Sequence, residues 1–289
     1  DLVAHHYQRS RCLMTTAAVL APPVPGILAG HRVLVTGVVN TDSIAFATAV
    51  AAQHSGAEIV LSSLPRDLEL TRSAADELRG SVPVFEADLT VPADLEHLRA
   101  VLQTRWGHLD GVLHAVAFAP REALAGDFLS AGIDAVSRAF HASTHSYAAL
   151  AGLLRDLAPE RGASIVGLDF DAAGAWPVYN WMGVCKAGLE AASRYVARDL
   201  GPRRIRSNLV AAGPIHTRAA NGIPEFEQLT SAWKAQSPIA WDTKDSAPVA
   251  DAVCFLLSDL ARMVTGEILH VDGGYHAMAA PLSAASAAP

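Results

Sequence analysis

The sequence predicts one doubly wound α/β domain, in which helices cover both faces of a parallel sheet. Three observations lead to this fold class. The chain has 289 residues, of which 51% are hydrophobic, so it can bury a large single core. From residue 31 onward, short apolar runs alternate regularly with segments of helical composition. No internal repeat and no linker interrupts the alternation.

The first strand and helix form a possible phosphate-binding unit. Residues 32–36 are a β-branched run that ends at Gly37, and helical composition begins at Ser43 and continues to residue 51. Free N–H groups and the dipole at such a helix N-terminus favour an anion. A dinucleotide fingerprint has three glycines and this turn supplies one, so the turn by itself indicates nucleotide binding weakly.

The next elements continue the alternation up to the middle of the chain. Strands are predicted over residues 58–63, 82–88 and 109–115 because each is a short apolar run. Residues 68–78 have helical periodicity, and a second helix, 92–106, opens with a proline at its first position.

The second half of the chain repeats the pattern with longer helices. Its predicted elements, in order, are a helix over 134–157, a strand over 163–169, a helix over 179–201, a strand over 205–211, a helix over 248–258 and a strand over 267–271. The whole series predicts a Rossmann-type three-layer αβα domain with right-handed crossovers. We expect this domain to span residues 26–280. Residues 1–25 are predicted to be a disordered tail or a non-native extension, and 281–289 a flexible C-terminal tail.

The candidate ligand-binding groups follow the strands. In doubly wound sheets, ligands bind beyond the carboxyl ends of the strands, near the switch in strand order. The segments that come directly after predicted strands are 37–44, Asp88, 115–119, 169–171 and 213–217. The helix that starts at Tyr179 would begin beside them. Several weak signals therefore converge on one edge of the sheet.

Tyr179 and Lys186 are the candidate catalytic pair. They are seven residues apart, and seven helical steps of about 100° return to within roughly 20° of the same face. A tyrosine can donate a proton to a developing oxyanion, and a nearby ammonium favours the ionised phenol and can bind a ribose. The alternative is a helix start followed by an ordinary surface lysine.

Composition argues against several other classes of function. A net charge of −7 without a basic block argues against nucleic acid, and no apolar run has the length of a membrane span. Three cysteines without metal-ligand spacing favour a reducing, cytoplasmic location. His141 and His145 lack a third ligand, so we expect no metal site. Asp169 and Asp171 are interpreted as strand-end caps rather than hydrolytic carboxylates.

Several segments together carry a family resemblance. They are Thr36-Gly37 followed by Ser43-Ile44-Ala45, the run 114–120, the run 167–171, Tyr179-Asn-Trp-Met with Lys186, the run 206–215 with Thr217, and Asp272-Gly-Gly. In this order and spacing, over about residues 27–276, the chain resembles the NADH-dependent enoyl-acyl-carrier-protein reductases. These belong to the divergent short-chain dehydrogenase/reductase group, and the similarity is greatest to the actinobacterial branch, which includes the mycobacterial enzyme.

The resemblance implies a reaction and its participants. NADH would deliver hydride to C3 of a trans-2-enoyl thioester carried by acyl carrier protein in type II fatty-acid synthesis. Tyr179 would stabilise the enolate and Lys186 would hold the nicotinamide ribose. The implied cofactor-binding residues are Gly37, Val39, Ser43, Ile44, Asp88, Leu89, Ala115, Lys186, Ile215 and Thr217. The implied substrate pocket consists of Phe170, Tyr179, Met182 and Ile223. A homotetramer assembled through the helices at 134–157 and 179–200 is also implied.

Two alternatives and two finer expectations remain. A β-ketoacyl reductase or other short-chain dehydrogenase would place lysine four residues after the tyrosine and serine thirteen before it, where this chain has Val166. A non-catalytic dinucleotide-binding protein would not need Tyr179 and Lys186. NADH is favoured over NADPH because Arg66 stands without a second basic residue. The short segment between Thr217 and Trp233 predicts short-to-medium acyl chains.

Overall fold

Seven parallel strands form one sheet in a computed structural model that describes residues 26–177 and 179–279. Their order is β3-β2-β1-β4-β5-β6-β7. The strands are β1 (Arg32–Thr36), β2 (Glu58–Ser63), β3 (Val84–Glu86), β4 (Gly111–His114), β5 (Ala163–Asp169), β6 (Ile205–Ala212) and β7 (Ile268–Val271). The predicted doubly wound parallel sheet is therefore confirmed. The two predicted tails lie outside the described residues, and the domain limits stay a prediction.

Nine α-helices are found in the described part of the chain. They are α1 (Ile44–His54), α2 (Leu68–Ala75), α3 (Pro92–Trp106), α4 (Arg121–Leu124), α5 (Ile133–Phe140), α6 (Ser146–Leu157), α7 (Asn180–Leu200), α8 (Phe226–Gln236) and α9 (Ala247–Leu257). None of these helices is long and apolar enough to cross a membrane.

The two faces of the sheet are packed by different helices, as alternation along β1 shows. Val33 and Val35 belong to a core that includes residues of α1 and α9. Leu34 points to the other face, where it belongs to the core that includes α3 and α6. All three side chains are fully buried. A strand that is apolar at every position is what a sheet covered on both sides requires.

Several predicted boundaries differ from the observed ones for local reasons. The strand predicted over 82–88 is observed as Val84–Glu86 because Asp88 leaves the sheet, its N–H donating to Asp94 Oδ2 at 2.8 Å. The helix predicted over 68–78 ends at Ala75. Its continuation tightens into 3₁₀-type bonds such as Leu78 N–H to Ala75 O, which are common at helix ends.

The helix predicted over 134–157 is interrupted by a π-helical turn, His141–His145, between α5 and α6. Two side chains of this turn bind other parts of the fold. Ser143 Oγ donates to Phe118 O at 3.0 Å and accepts from Phe118 N at 2.9 Å. Thr144 Oγ1 donates to Cys185 O at 2.7 Å in α7. The turn thus ties the loop after β4 and helix α7 to one point.

Candidate active site

The switch in strand order lies between β1 and β4, and the backbones beyond these strands approach closely. Gly37 has φ +81°, and a Cβ there would lie 2.0 Å from Ala115 O. The position therefore requires glycine both for its backbone conformation and for space. Buried Thr36 joins the two strands, since its Oγ1 donates to Leu113 O at 2.9 Å and accepts from Ala115 N at 3.1 Å.

The N-terminus of α1 follows this turn, as predicted. Ser43 is its N-cap: its Oγ accepts from Phe46 N at 3.1 Å and donates to Asn40 O at 2.9 Å. Ile44 is the first helical residue, and Val39 lies half-buried in the turn. The remaining N–H groups of this first turn are available to an anion beside Gly37.

Asp88 and Leu89 lie beyond β3, on the other side of β1 from β4. Asp88 Oδ1 accepts from Thr90 N at 2.9 Å and from Thr90 Oγ1 at 2.7 Å. This turn fixes the carboxylate, and its Oδ2 has no hydrogen-bond partner within residues 26–177 and 179–279. Leu89 is buried beside it. The pair can therefore offer one acceptor oxygen and one apolar surface to a ligand.

The loop beyond β6 holds Ile215 and Thr217. Ile215 is buried, and Thr217 Oγ1 accepts from Ala220 N at 3.1 Å, which starts the 3₁₀ turn Ala220–Gly222. Its hydroxyl proton stays available to an acceptor. Ile223 follows this turn and packs into the apolar cluster described below.

Tyr179 lies at the N-cap of α7, next to a strained residue. Asn180 has φ +37°, an uncommon conformation for a residue other than glycine, and its Nδ2 donates to Gly126 O at 3.1 Å. The Tyr179 side chain is buried, and its ring centroid lies 5.1 Å from that of Phe170 at the end of β5. The structure thus brings the predicted phenol to the carboxyl edge of the sheet.

Lys186 reaches the same edge from within α7. Its Nζ donates to Leu168 O at 2.8 Å and lies 4.0 Å from Asp169 Oδ1. The side chains of Lys186 and Asp169 are both buried. Burial lowers the pKa of Lys186, although the neighbouring carboxylate opposes that shift.

The burial of Asp169 and its raised pKa were not predicted from the sequence. Both carboxylate oxygens are buried without a hydrogen-bond partner among the described residues. Burial raises the pKa of Asp169 to about 7, and the nearby Lys186 charge only partly offsets this. The expected strand-end cap is correct for Asp171, whose Oδ1 accepts from Ala173 N at 3.0 Å, and wrong for Asp169.

The ionisation of Tyr179 also differs from the expectation. We expected the Lys186 ammonium to favour the phenolate. Instead burial raises the pKa of Tyr179 above its ordinary value, and the nearby Asp169 carboxylate raises it further. Tyr179 is therefore a neutral hydrogen-bond donor at physiological pH.

His114, at the end of β4, is a second buried group that sequence reasoning missed. Its Nε2 lies 2.8 Å from Ser146 Oγ, and Ser146 gives its own proton to Ala142 O at 2.7 Å. His114 Nε2 must therefore carry the hydrogen. Burial, with the charge of Lys186, lowers the pKa of His114 to about 3. A neutral imidazole thus lies near Lys186.

The four residues predicted to line the substrate pocket belong to one apolar cluster. They are Phe170, Tyr179, Met182 and Ile223, and their contact with a substrate stays a prediction. The same cluster contains Trp176, Trp233 and Tyr275, which the sequence analysis did not single out. The signal that could have identified Trp176 was its position three residues before Tyr179.

The geometry fits a bound dinucleotide. A glycine with close backbone approach and a capped helix N-terminus lie at the switch point, Asp88 lies beyond β3, and an unpartnered carboxylate lies next to Lys186. Such an arrangement can hold a pyrophosphate and two riboses. Within the described parts of the chain, no group of three or more His, Cys, Asp or Glu side chains could hold a metal ion.

Several known proteins are similar in sequence to this chain. A family model described as enoyl-(acyl carrier protein) reductase matches residues 37–276. The chain is 40% identical over 264 residues to an NADH-dependent enoyl-acyl-carrier-protein reductase of Mycolicibacterium smegmatis, covering 86% of this chain and 97% of that relative. The corresponding enzyme of Mycobacterium avium is 41% identical over 266 residues, with 86% and 97% covered. That of Neisseria meningitidis is 40% identical over 253 residues, with 86% and 96% covered.

Proposed function

The chain belongs to the enoyl-acyl-carrier-protein reductase family, and we propose that it reduces trans-2-enoyl thioesters with NADH at the carboxyl edge of its sheet. The observation that carries this proposal is the arrangement of Tyr179. Its buried, neutral phenol packs against the ring of Phe170, and Asp169, the neighbour of Lys186, is near enough to raise the pKa of Tyr179. We also propose that the enzyme serves type II fatty-acid synthesis.

Tyr179 is the group that stabilises the transition state. When bound, NADH supplies the hydride that adds to C3 of the substrate. As the C2–C3 double bond is reduced, negative charge moves onto the thioester oxygen, to which Tyr179 donates a hydrogen bond. Its raised pKa keeps that proton on the phenol, so the donor is present when the charge develops. A proton added at C2 completes the saturated thioester.

Lys186 acts on the cofactor side. One Nζ proton is used by Leu168 O, and the remaining ones are free to donate to ribose hydroxyls. The other residues proposed to bind the cofactor lie along the same sheet edge. They are Gly37, Val39, Ser43 and Ile44 at the pyrophosphate, Asp88 and Leu89 at the adenosine, and Ala115, Ile215 and Thr217 towards the nicotinamide.

The preference for NADH over NADPH is supported by the relatives rather than by the surroundings of Arg66. Arg66 follows β2, where it could attract a 2′-phosphate. Its Nε lies 3.4 Å from Asp67 Oδ2, and Arg218 Nη1 lies 3.5 Å from the other oxygen of the same carboxylate. Arg218 is therefore a second basic residue near Arg66, contrary to the expectation from the sequence, and Asp67 offsets only one of the two charges. The proposal of NADH rests on the relatives, which are NADH-dependent.

The proposed partners are acyl carrier protein, which carries the substrate, and three further copies of this chain. Exposed apolar side chains on the adjoining helices α5 and α7, namely Ile133, Phe140 and Val184, support subunit contacts there. The cleft beside Phe140 and Val184 has a volume of about 430 Å³ and is largely apolar. Cys185 and Cys254 are buried free thiols, which supports the proposed cytoplasmic location.

The experiment that tests this function follows oxidation of NADH with crotonyl thioester, comparing the wild type with Tyr179→Phe. We expect turnover by the wild type and a loss in kcat of about 100-fold or more in the variant, because a preorganised donor is removed. NADH binding should persist in Tyr179→Phe, which a fluorescence titration checks.

Other outcomes identify the alternatives. Turnover of a β-ketoacyl thioester without turnover of the enoyl thioester would indicate a ketoreductase. Tight NADH binding with neither activity would indicate a non-catalytic dinucleotide-binding protein.

A further inference from the structure

Three rings from three separate segments pack against one another beside the proposed substrate pocket. We call Trp176, Trp233 and Tyr275 the aromatic wall. The Trp233 and Tyr275 rings are stacked, with centroids 3.8 Å apart and an interplanar angle of 10°. The Trp176 centroid lies 5.1 Å from that of Trp233 and 5.8 Å from that of Tyr275.

Each ring of the aromatic wall is held by the fold. Trp176, in the loop after β5, donates its indole N–H to Asp171 O at 2.6 Å. Trp233 extends from α8 and is 2% exposed. Tyr275 begins the 3₁₀ turn Tyr275–Ala277, which directly follows two positive-φ glycines. The wall therefore belongs to the folded framework rather than to a single mobile loop.

Phe170 connects the aromatic wall to the reaction site. Its centroid lies 5.1 Å from that of Tyr179, 5.2 Å from that of Trp176 and 5.6 Å from that of Trp233. A thioester carbonyl bound at the Tyr179 hydroxyl would thus have the wall about one ring away. An acyl tail that extends from Tyr179 past Phe170 would meet this wall.

We propose that the aromatic wall closes one end of the acyl site and restricts the enzyme to short- and medium-chain trans-2-enoyl thioesters. This inference rests on the proposed function. Carbon atoms in contact stay about 3.5–4.0 Å apart, so a methylene chain between two rings needs roughly 7–8 Å between them. The Trp233–Tyr275 stack has about half that separation. A long tail therefore cannot pass through the wall unless its rings move apart.

Trp176 is the residue on which this selectivity depends most. Its ring packs against Phe170 and against both rings of the stacked pair. A short tail can lie against Phe170, Met182 and Ile223 without moving Trp176. A longer tail has to displace the indole and break its hydrogen bond to Asp171 O. Replacement of Trp176 by methionine keeps an apolar surface but supplies a flexible chain in place of the rigid ring.

The test compares kcat/KM for crotonyl, trans-2-octenoyl and trans-2-dodecenoyl thioesters in four proteins. In the wild type we expect crotonyl and octenoyl to exceed dodecenoyl by about 10-fold or more, the effect of a misfit in an apolar pocket. Trp176→Met and Tyr275→Ala should each raise the dodecenoyl-to-crotonyl ratio about 10-fold, mainly through a lower KM for dodecenoyl. Trp181→Met is the matched control, because that indole stacks on Phe128 and donates to Phe128 O, outside the wall.

Each outcome has a distinct meaning. Absence of crotonyl turnover in the wild type would refute the proposed function itself. Crotonyl turnover accompanied by an equal or higher kcat/KM for dodecenoyl would overturn the wall proposal and leave the function intact. The wall proposal is also overturned if both wall variants, folded by circular dichroism, keep the wild-type ratio, or if Trp181→Met changes that ratio as much as they do.

Discussion

The two sides of the site are stabilised in opposite ways. On the substrate side, Phe170, Trp176 and Trp233 are packed ring against ring, and the only unpartnered buried polar atom of these three described side chains is the Trp233 indole nitrogen. On the cofactor side, Lys186 and Asp169 are buried, and both Asp169 oxygens lack hydrogen-bond partners among the described residues. The ring contacts are made entirely within the protein. A buried polar group without a partner, by contrast, gains a hydrogen bond when a polar ligand binds. The substrate side therefore selects by shape, and the cofactor side binds by charge and hydrogen bonding.

The largest effect is expected from removing the charge on the cofactor side. Lys186→Met should weaken NADH binding about 10- to 100-fold, since a hydrogen bond to a charged group contributes roughly 1.5–3 kcal/mol. It also leaves Asp169 without the cation that opposes its raised pKa, so that pKa should rise further. Fluorescence titration with NADH measures the loss, and exposed Lys244→Met is the matched control. Equal affinities in Lys186→Met and the wild type would contradict the proposed role.

A smaller, pH-dependent effect is expected for Asp169→Asn. In the folded protein the pKa of Asp169 is about 7, whereas its ordinary value is 3.8. Between these pH values the folded state holds a proton that the unfolded chain has lost. The Asp169 contribution to the free energy of unfolding therefore falls as pH rises through this window.

The variant lacks this dependence. Relative to that of the wild type, the free energy of unfolding of Asp169→Asn should rise by about 2 kcal/mol between roughly pH 5 and pH 8, as measured by urea denaturation. Asp171→Asn, which removes a turn-capping carboxylate two residues away, is the control. A difference between variant and wild type that stays constant over this pH range would show that Asp169 is already ionised when buried.

The smallest effect is expected on the substrate side from a change that preserves volume. Met182→Leu replaces a buried side chain of the apolar cluster by one of similar size, so the expected cost is below about 1.5 kcal/mol. Activity with crotonyl thioester should stay within about 3-fold of the wild type, because shape is largely retained. If Met182→Leu lowers crotonyl turnover by as large a factor as Lys186→Met lowers NADH affinity, the contrast between the two sides does not hold.

The sequence predicted those elements whose boundaries are determined by residues nearby in the chain. β1, β2, β5 and α3 begin and end where expected, because apolar runs bounded by turn residues or by Pro92 determine them. The π-helical turn was not predicted. Its tethers to Phe118 and Cys185 are contacts between segments distant in sequence.

The same distinction holds for the site. The positions of Tyr179 and Lys186 could be predicted from their spacing on a helix. The direction in which the pKa of Tyr179 shifts could not be predicted, because it depends on burial and on Asp169 at the end of β5. The aromatic wall depends on α8 and on the C-terminal turn, neither of which was predicted as an element. Specific cofactor and substrate contacts stay predictions.

The π-helical turn has a further consequence for how the chain tolerates insertions and deletions. A π turn holds one residue more than a regular α-helical path needs. Loss of one residue between His141 and His145 would let the helix close at regular pitch, with α5 and α6 still in phase. The same deletion elsewhere in α6 would rotate the following residues by about 100° around the helix axis. This turn is therefore the place in the long helix where length can vary while both flanks keep their packing, at the cost of the tethers to Phe118 and Cys185.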